Sequence, residues 1–185
     1  EHGRESARAI GQALQQNFPP FDCHFVSSYR RTRETLSLAL PQASPIIEDA
    51  RLDELHQGIW QTMTLSEITA CYPEEIEWQA KEGRYHHRPL GGENCPDVEM
   101  RIRSFMMTLT DFAPMTHVLA VVHGHWLTLL LRIVLGLSIG ETLARLNAGP
   151  KTASITVLRG RGKFLTLESY NQERSAFKIQ ESALA

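Results

Sequence analysis

The sequence predicts an α/β fold in which a mostly parallel central sheet lies between two layers of helices, a three-layer α/β/α sandwich. Short apolar strands alternate with amphipathic helices along the chain, an order typical of parallel sheets. Residues 118–122 form an unbroken apolar run, as expected of a strand buried on both faces. With 185 residues, 42% of them hydrophobic, the chain can bury one core, so we predict a single domain over residues 1–185.

The individual elements follow from the spacing of apolar residues. Helices are predicted where apolar residues recur every three or four positions: 1–18, 30–40, 65–78, 98–109 and a Leu-rich stretch after residue 125. Strands are predicted for the short apolar runs 23–27, 46–47, 118–122, 154–158 and 164–168. Residues 51–60 should be irregular. The Gly, Pro, His and Arg content of residues 83–96 indicates a long functional loop.

Composition excludes several classes of partner. The 19 basic and 21 acidic side chains give a net charge of -2, which provides no general field for nucleic acid or an anionic membrane, so we expect neither as a partner. No apolar stretch approaches the length that spans a bilayer. The three cysteines are odd in number and lack the close paired spacing of zinc or redox motifs, which favours a reducing, cytoplasmic setting. The sequence leaves a homodimer open.

Polar residues follow two of the predicted strands, and ligands of open α/β sheets bind beyond the carboxyl ends of the strands. The first such end reads Ser27-Ser28-Tyr29-Arg30-Arg31. It places two guanidinium groups beside the free amides of a helix start, which is a suitable trap for a phosphate. A solvated basic helix start is the alternative interpretation.

The second strand end carries His123. Aliphatic residues already fill the preceding strand, and Gly124 would let a ligand approach the backbone, so His123 is a candidate ligand-binding residue. A hydrogen-bonded structural histidine is the alternative. His123 and His125 also form a His-x-His pattern, but a zinc site needs three or four ligands and no suitable cluster accompanies them. We therefore predict no metal and no cofactor.

Two further segments could complete a site. Glu54 is a carboxylate between apolar neighbours near Gly58, and it could protonate a leaving alkoxide if burial raises its pKa. An ordinary surface glutamate is the alternative. Residues 85–94 could cover a substrate, with Arg88 or the adjacent histidines holding its non-phosphate part, or could form a surface turn.

These segments, in this order, resemble the histidine phosphatase superfamily, also called the phosphoglycerate mutase-like family, over nearly the whole chain. Residues 1–7 resemble its first helix, and residues 27–35 (SSYRRTRET) resemble its phosphate-binding turn, Ser-x-x-x-Arg-x-x-Gln/Glu-Thr. Residues 52–58 resemble the segment that bears the acid, residues 91–93 the Gly-Glu-Ser loop, and residues 121–124 the second histidine. Each motif alone is common, but five in order are specific.

The resemblance implies a mechanism and a set of site residues. A histidine in an Arg-His-Gly motif at the end of the first strand attacks phosphorus, while two arginines and a second histidine hold the equatorial oxygens. Arg31 and His123 inherit the stabilising roles, and Glu54 inherits that of proton donor. Water then hydrolyses the phosphohistidine. We assign substrate binding to Ser28, Arg30, Arg88, Glu93, Asn94 and Gly124.

The expected function is that of a phosphomonoesterase acting on a small phosphorylated metabolite. The chain lacks the longer Arg-Arg and multiple-proline insert associated with glycolytic mutases, which favours a phosphatase. A phosphoglycerate-type mutase and a catalytically inactive phosphate-binding domain are the alternatives.

The chain departs from the family pattern at its start. No Arg-His-Gly occurs in the sequence, and no apolar strand precedes the first helix. His2-Gly3 is rejected as a substitute, because a nucleophile at a strand end needs the strand. We expect the natural protein to carry a further N-terminal segment with the first strand and the nucleophile, and the 185 residues alone to be inactive. Val122 stands where Ser or Thr is frequent, and Asn94 where Ser is usual.

Overall fold

The structure, a computed structural model, describes residues 1–173 and has the α/β architecture that the sequence predicts. Its α-helices are α1 (His2–Asn17), α2 (Arg30–Ala39), α3 (Leu65–Cys71), α4 (Pro73–Glu82), α5 (Cys95–Thr108), α6 (Gly124–Leu135) and α7 (Ile139–Ala148). Its strands are β1 (Cys23–Val26), β2 (Ile46–Glu48), β3 (Val118–Val121), β4 (Ile155–Arg161) and β5 (Phe164–Gln172). Short 3-10 helices cover Ala50–Leu52, Gly58–Thr62 and Leu109–Asp111. None of the helices in this range has the length and hydropathy needed to traverse a bilayer.

The central sheet brings three strand ends to one edge. β1 lies between β2 and β3 and is parallel to both. Val26 pairs with Glu48 of β2 and with Val121 of β3, so the carboxyl ends of the three strands are level. β4 and β5 form a separate antiparallel pair. Residues that follow β1 and β3 therefore meet at the edge where ligands bind in sheets of this kind.

The two faces of the sheet are covered by different helices. Phe25 of β1 packs with Ile102 of α5 and Leu129 of α6. On the other face, Leu119 of β3 packs in a second cluster with Leu14 of α1. Because successive strand residues point to opposite faces, two apolar clusters form on either side of one sheet. The predicted sandwich of helix, sheet and helix layers is confirmed.

Two helices differ from the prediction. The helix expected over 65–78 is two helices, because Tyr72 precedes Pro73 and the residue before a proline is disfavoured in the helical conformation. α7 was not expected from apolar spacing. Its start does carry a sequence signal, since Ser138 and Glu141 form a capping box that satisfies two amides at the helix start.

β3 is less buried than its apolar run predicts. All four residues of β1 are buried, whereas the four of β3 are only partly buried. Within residues 1–173, β3 pairs with β1 alone, so its second edge carries no strand. The strand itself is as predicted, and both of its faces are packed, with Ala120 in one apolar cluster and Leu119 in the other, but its burial is only partial.

Gly11 allows α1 to pack closely against the end of α2. A Cβ at this position would overlap the carbonyl oxygen of Ala39, so Gly11→Ala should force the two backbones apart. We expect the free energy of unfolding, measured by urea denaturation, to fall by about 2 kcal/mol. Gly3 of the same helix has open space around it, and Gly3→Ala should raise stability by up to about 1 kcal/mol through helix propensity. Equal free energies of unfolding for Gly11→Ala and Gly3→Ala would contradict the prediction.

Candidate active site

Arg31 and His123, predicted from two separate strand ends, are in direct contact. The guanidinium of Arg31 donates to Nδ1 of His123 from Nε at 3.1 Å and from Nη2 at 2.9 Å. Arg31 also lies over the ring of Tyr29 at 4.4 Å, and that ring meets His123 edge to face at 5.2 Å. The start of α2 and the start of α6 are thus joined by a polar contact at the edge of the sheet.

The contacts of His123 determine its tautomer. A guanidinium can only donate, so Nδ1 accepts and Nε2 must carry the hydrogen of the neutral ring. Nε2 lies 2.6 Å from Oγ of Ser27 and donates to it. Oγ of Ser27 also accepts from the amide of Tyr29 at 3.3 Å and lies 2.9 Å from Oγ1 of Thr32. The imidazole is therefore fixed at both nitrogens, and Ser27 has a positioning role that the sequence analysis did not assign.

The His123 ring is neutral at pH 7 in the ligand-free protein. Burial and the neighbouring charge of Arg31 lower the pKa of His123 to about 4. A bound phosphate dianion would oppose this shift, because it attracts Arg31 and stabilises an imidazolium. The pair can therefore gain a proton on binding an anion.

Because the pKa of His123 is lowered in the folded state, the protein should lose stability as the pH falls. In the unfolded chain an imidazole titrates near the ordinary histidine pKa of about 6.5. Between that value and about 4 the unfolded state binds more protons than the folded state, so stability is lost as pH falls through this window. From pH 7 to pH 5 we expect a loss of about 2 kcal/mol in urea denaturation that His123→Gln lacks. Parallel pH dependences in the two proteins would show that His123 does not titrate this way.

Glu54 lies beside this pair but is not the raised-pKa acid that the sequence analysis expected. Its Oε1 accepts from the amides of Leu55 at 3.1 Å and Trp126 at 3.3 Å, and its Oε2 accepts from the amide of His125 at 3.4 Å. Burial acts to raise its pKa, but the hydrogen bond and the charge of His125 outweigh burial and lower the pKa to about 2. The raised pKa on which the proton-donor role was conditional is therefore not found, and the partners that prevent it come from α6, far along the chain.

The other residues predicted beside the first strand end have different surroundings. The amide and hydroxyl of Ser28 both donate to the carboxylate of Asp53 at 2.7 Å, which ties the turn to the segment carrying Glu54. Arg30 is the first residue of α2 and is exposed. Gly124 opens α6, and a Cβ there would meet only Pro150, at ordinary contact distances.

Three predicted substrate-binding residues of the long loop make structural contacts. Arg88 forms an exposed ion pair with Asp97. Glu93 pairs with Arg101 at 2.9 Å. Asn94 caps α5, accepting from the amide of Asp97 at 3.0 Å, which explains why an amide is suitable where the family usually has Ser. These contacts position the loop, so binding of substrate by the three side chains stays a prediction.

Glu93 and Asn94 also line a cavity of about 90 Å³. The side chain of His125, which contacts Glu54, forms part of the same cavity, together with Trp60, Arg84 and His87. The cavity therefore joins the loop 83–96, predicted to be functional, to the neighbour of the proposed acid. No group of three or more potential metal ligands occurs among residues 1–173, and the absence of a metal stays a prediction.

An arginine and a histidine in direct contact at the carboxyl edge of a parallel sheet are the residue types with which α/β proteins of the phosphate-handling class bind their ligands. The chain belongs to the histidine phosphatase superfamily, because the family model described as histidine phosphatase superfamily (branch 1) matches residues 1–173.

Individual relatives carry both mutase and phosphatase names. The 2,3-bisphosphoglycerate-dependent phosphoglycerate mutase 2 of Gloeobacter violaceus is 35% identical over 134 residues, which cover 68% of this chain and 58% of that protein. The glucosyl-3-phosphoglycerate phosphatase of Mycolicibacterium vanbaalenii is 32% identical over 147 residues, 74% of this chain and 63% of that protein. The chain thus spans less than two thirds of the length of each of these two relatives.

A solved structure supports the fold. The crystal structure of the alpha-ribazole phosphatase from Shigella flexneri matches 97% of this chain and 85% of its own with a TM-score of 0.82. Its sequence identity is 21%, so the likeness concerns the fold alone.

Proposed function

We propose that this protein is a phosphomonoesterase that transfers a phosphoryl group from a small phosphorylated metabolite to a histidine and then to water. The observation that carries the proposal is the contact between the Arg31 guanidinium and Nδ1 of His123 at the carboxyl edge of the sheet. Two groups that are far apart in sequence meet there beside the carboxylate of Glu54.

This arrangement suits phosphoryl transfer. The transition state is loose, so the protein contributes position and charge stabilisation more than bond making. The guanidinium of Arg31 can shift its two N–H donors from His123 to two phosphate oxygens. The His123 ring can then take up a proton, because the bound anion stabilises the imidazolium. The first amides of α6 add the partial positive charge of a helix start next to His123.

We place the nucleophile upstream of Glu1. The second edge of β3 carries no strand within residues 1–173, and β3 is only partly buried there. A parallel strand added to that edge would end level with β3, and the residue after it would face His123. An Arg-His-Gly histidine in that position would attack phosphorus opposite the leaving oxygen held near Glu54. In this proposal the 185 residues alone are inactive.

The test is hydrolysis of p-nitrophenyl phosphate by the full natural protein. We expect turnover in a chelating buffer without added metal and an acid-labile phosphoenzyme on rapid quenching with labelled substrate. The matched control is the 185-residue chain, which should fold but release no nitrophenolate. Activity that disappears with chelator, or an alkali-labile phosphoenzyme, would remove the proposal.

We also propose a cytoplasmic location, supported by three unpaired cysteines.

A mutase is the second candidate, because a bisphosphoglycerate-dependent mutase is 35% identical to this chain. A mutase must retain and reorient its bisphosphate intermediate, whereas a phosphatase releases phosphate to water. Incubation with 3-phosphoglycerate and a catalytic amount of 2,3-bisphosphoglycerate, followed by phosphorus NMR, separates the two. Conversion to 2-phosphoglycerate without phosphate release identifies the mutase, and the appearance of inorganic phosphate identifies the phosphatase.

A further inference from the structure

His125 contacts the proposed acid, and the mechanism above gives it no task. Its Nδ1 lies 3.5 Å from Oε2 of Glu54, and the two side chains are 28% and 19% exposed. His125 also lines the cavity beside residues 93 and 94, and Glu54 does not. The imidazole therefore joins the carboxylate to this cavity.

The surroundings of Glu54 favour the carboxylate form. Three backbone amides donate to it, and two of them belong to the first turn of α6, where the helix dipole stabilises negative charge. The pKa of Glu54 is about 2, because the contact with His125 outweighs the opposing effect of burial. A carboxylate at neutral pH has no proton to give to a leaving oxygen, so the proton must reach it from another group.

We propose that His125 supplies this proton and acts through Glu54, an inference that rests on the proposed phosphatase function. The imidazolium of His125 transfers its Nδ1 hydrogen to Oε2 of Glu54. Glu54 passes a proton to the leaving oxygen as the phosphorus–oxygen bond breaks and the bond from phosphorus to the nucleophilic histidine forms. The alcohol leaves, His125 is neutral and Glu54 is again a carboxylate.

The second half of the reaction restores the pair. Water attacks the phosphohistidine, its proton passes through Glu54 to His125, and the bond between nitrogen and phosphorus breaks to release phosphate. A bound phosphoryl group favours the first transfer, because its negative charge raises the proton affinity of the nearby carboxylate. His125 thus positions Glu54, supplies its proton in the first half of the reaction and takes a proton back in the second.

Other charged groups face the pair. His123 follows β3, Asp53 follows the 3-10 helix Ala50–Leu52, and Arg101 donates to the backbone oxygen of Glu54 at 3.2 Å. The charged and titratable groups on the walls of the cavity that His125 lines are Arg84, His87, Glu93 and Cys95. None of these replaces His125, since among residues 1–173 it alone of the basic side chains pairs with the Glu54 carboxylate within 4 Å.

The experiment uses His125→Asn in the full natural protein and two substrates that differ in their leaving groups. Asparagine keeps a side-chain N–H donor for Glu54 but carries no proton to transfer. p-Nitrophenolate leaves as a stable anion, whereas an alkyl alkoxide needs protonation. We expect kcat/KM for an alkyl phosphate to fall about 100-fold and that for p-nitrophenyl phosphate to change less than about threefold. The fall of alkyl phosphate activity at high pH in the wild type should also be absent from the variant.

His117→Asn is the matched control, because His117 also faces a carboxylate, Asp22, at 3.9 Å but belongs to the surface before β3. His117→Asn should leave kcat/KM for both substrates unchanged. Equal losses on both substrates in His125→Asn, or no loss on either, would overturn the inference. If the wild type hydrolyses neither substrate, the proposed function itself fails, which is a different outcome.

Discussion

Arg31→Met in the full natural protein should reduce kcat/KM for p-nitrophenyl phosphate by about 1,000-fold. The reason is that a guanidinium aimed at a transferring phosphoryl group stabilises charge that develops only in the transition state. Arg31→Lys keeps the charge but loses the planar fork, so we expect a smaller loss, about 100-fold. The measurement is the initial rate under subsaturating substrate.

A separate readout distinguishes loss of Arg31 from general damage. Burial and Arg31 together lower the pKa of His123, so the pKa that NMR reports for this ring should rise above about 4 in Arg31→Met. Arg33 lies on the same helix and pairs with Glu48 at 2.7 Å on the exposed surface. Arg33→Met should leave both the activity and the His123 titration unchanged. Comparable losses in the two arginine variants would show that Arg31 has no special place in the reaction.

The rule that ligands bind beyond strand ends was enough to select His123 and the pair Arg30 and Arg31 from the sequence, and the family resemblance then singled out Arg31. The rule depends only on where a buried strand stops, and the apolar runs before residues 27 and 123 mark those points. It could not predict that Nδ1 of His123 accepts from Arg31 while Nε2 donates to Ser27, since ring orientation depends on atoms from two loops. Local sequence supplies positions, whereas tertiary contacts determine protonation.

Glu54 illustrates this limit. The sequence left a buried acid and an ordinary surface glutamate open, and in the structure burial does act to raise the pKa of Glu54. The sign of the net shift is set by His125 and by the first amides of α6, which no pattern around residue 54 reveals. α7 is a different case, because its capping box at Ser138 and Glu141 is a sequence signal that apolar spacing alone did not detect.

His123→Ala in the full natural protein should abolish measurable phosphatase activity, a loss of at least about 1,000-fold in kcat. The ring is the link between Arg31 and Ser27, so the variant loses a phosphate ligand and frees the arginine that the ring orients. His123→Gln keeps a side-chain donor of similar length and should retain more phosphate affinity than His123→Ala in calorimetric titration. Neither should approach wild-type turnover, because an amide cannot gain the proton that the bound anion stabilises in the imidazole.

The fold must be shown to survive this change, since His123 is 8% exposed and lies over the edge of the sheet. Urea denaturation at pH 7 serves this purpose, and His117→Ala is a control for loss of a half-buried histidine outside the site. A folded His123→Ala protein that hydrolyses p-nitrophenyl phosphate at the wild-type rate would mean that the contact with Arg31 serves structure alone. The contact between Arg31 and His123 would then lie outside the site of the reaction, because a contact that holds the phosphate cannot be dispensable for activity.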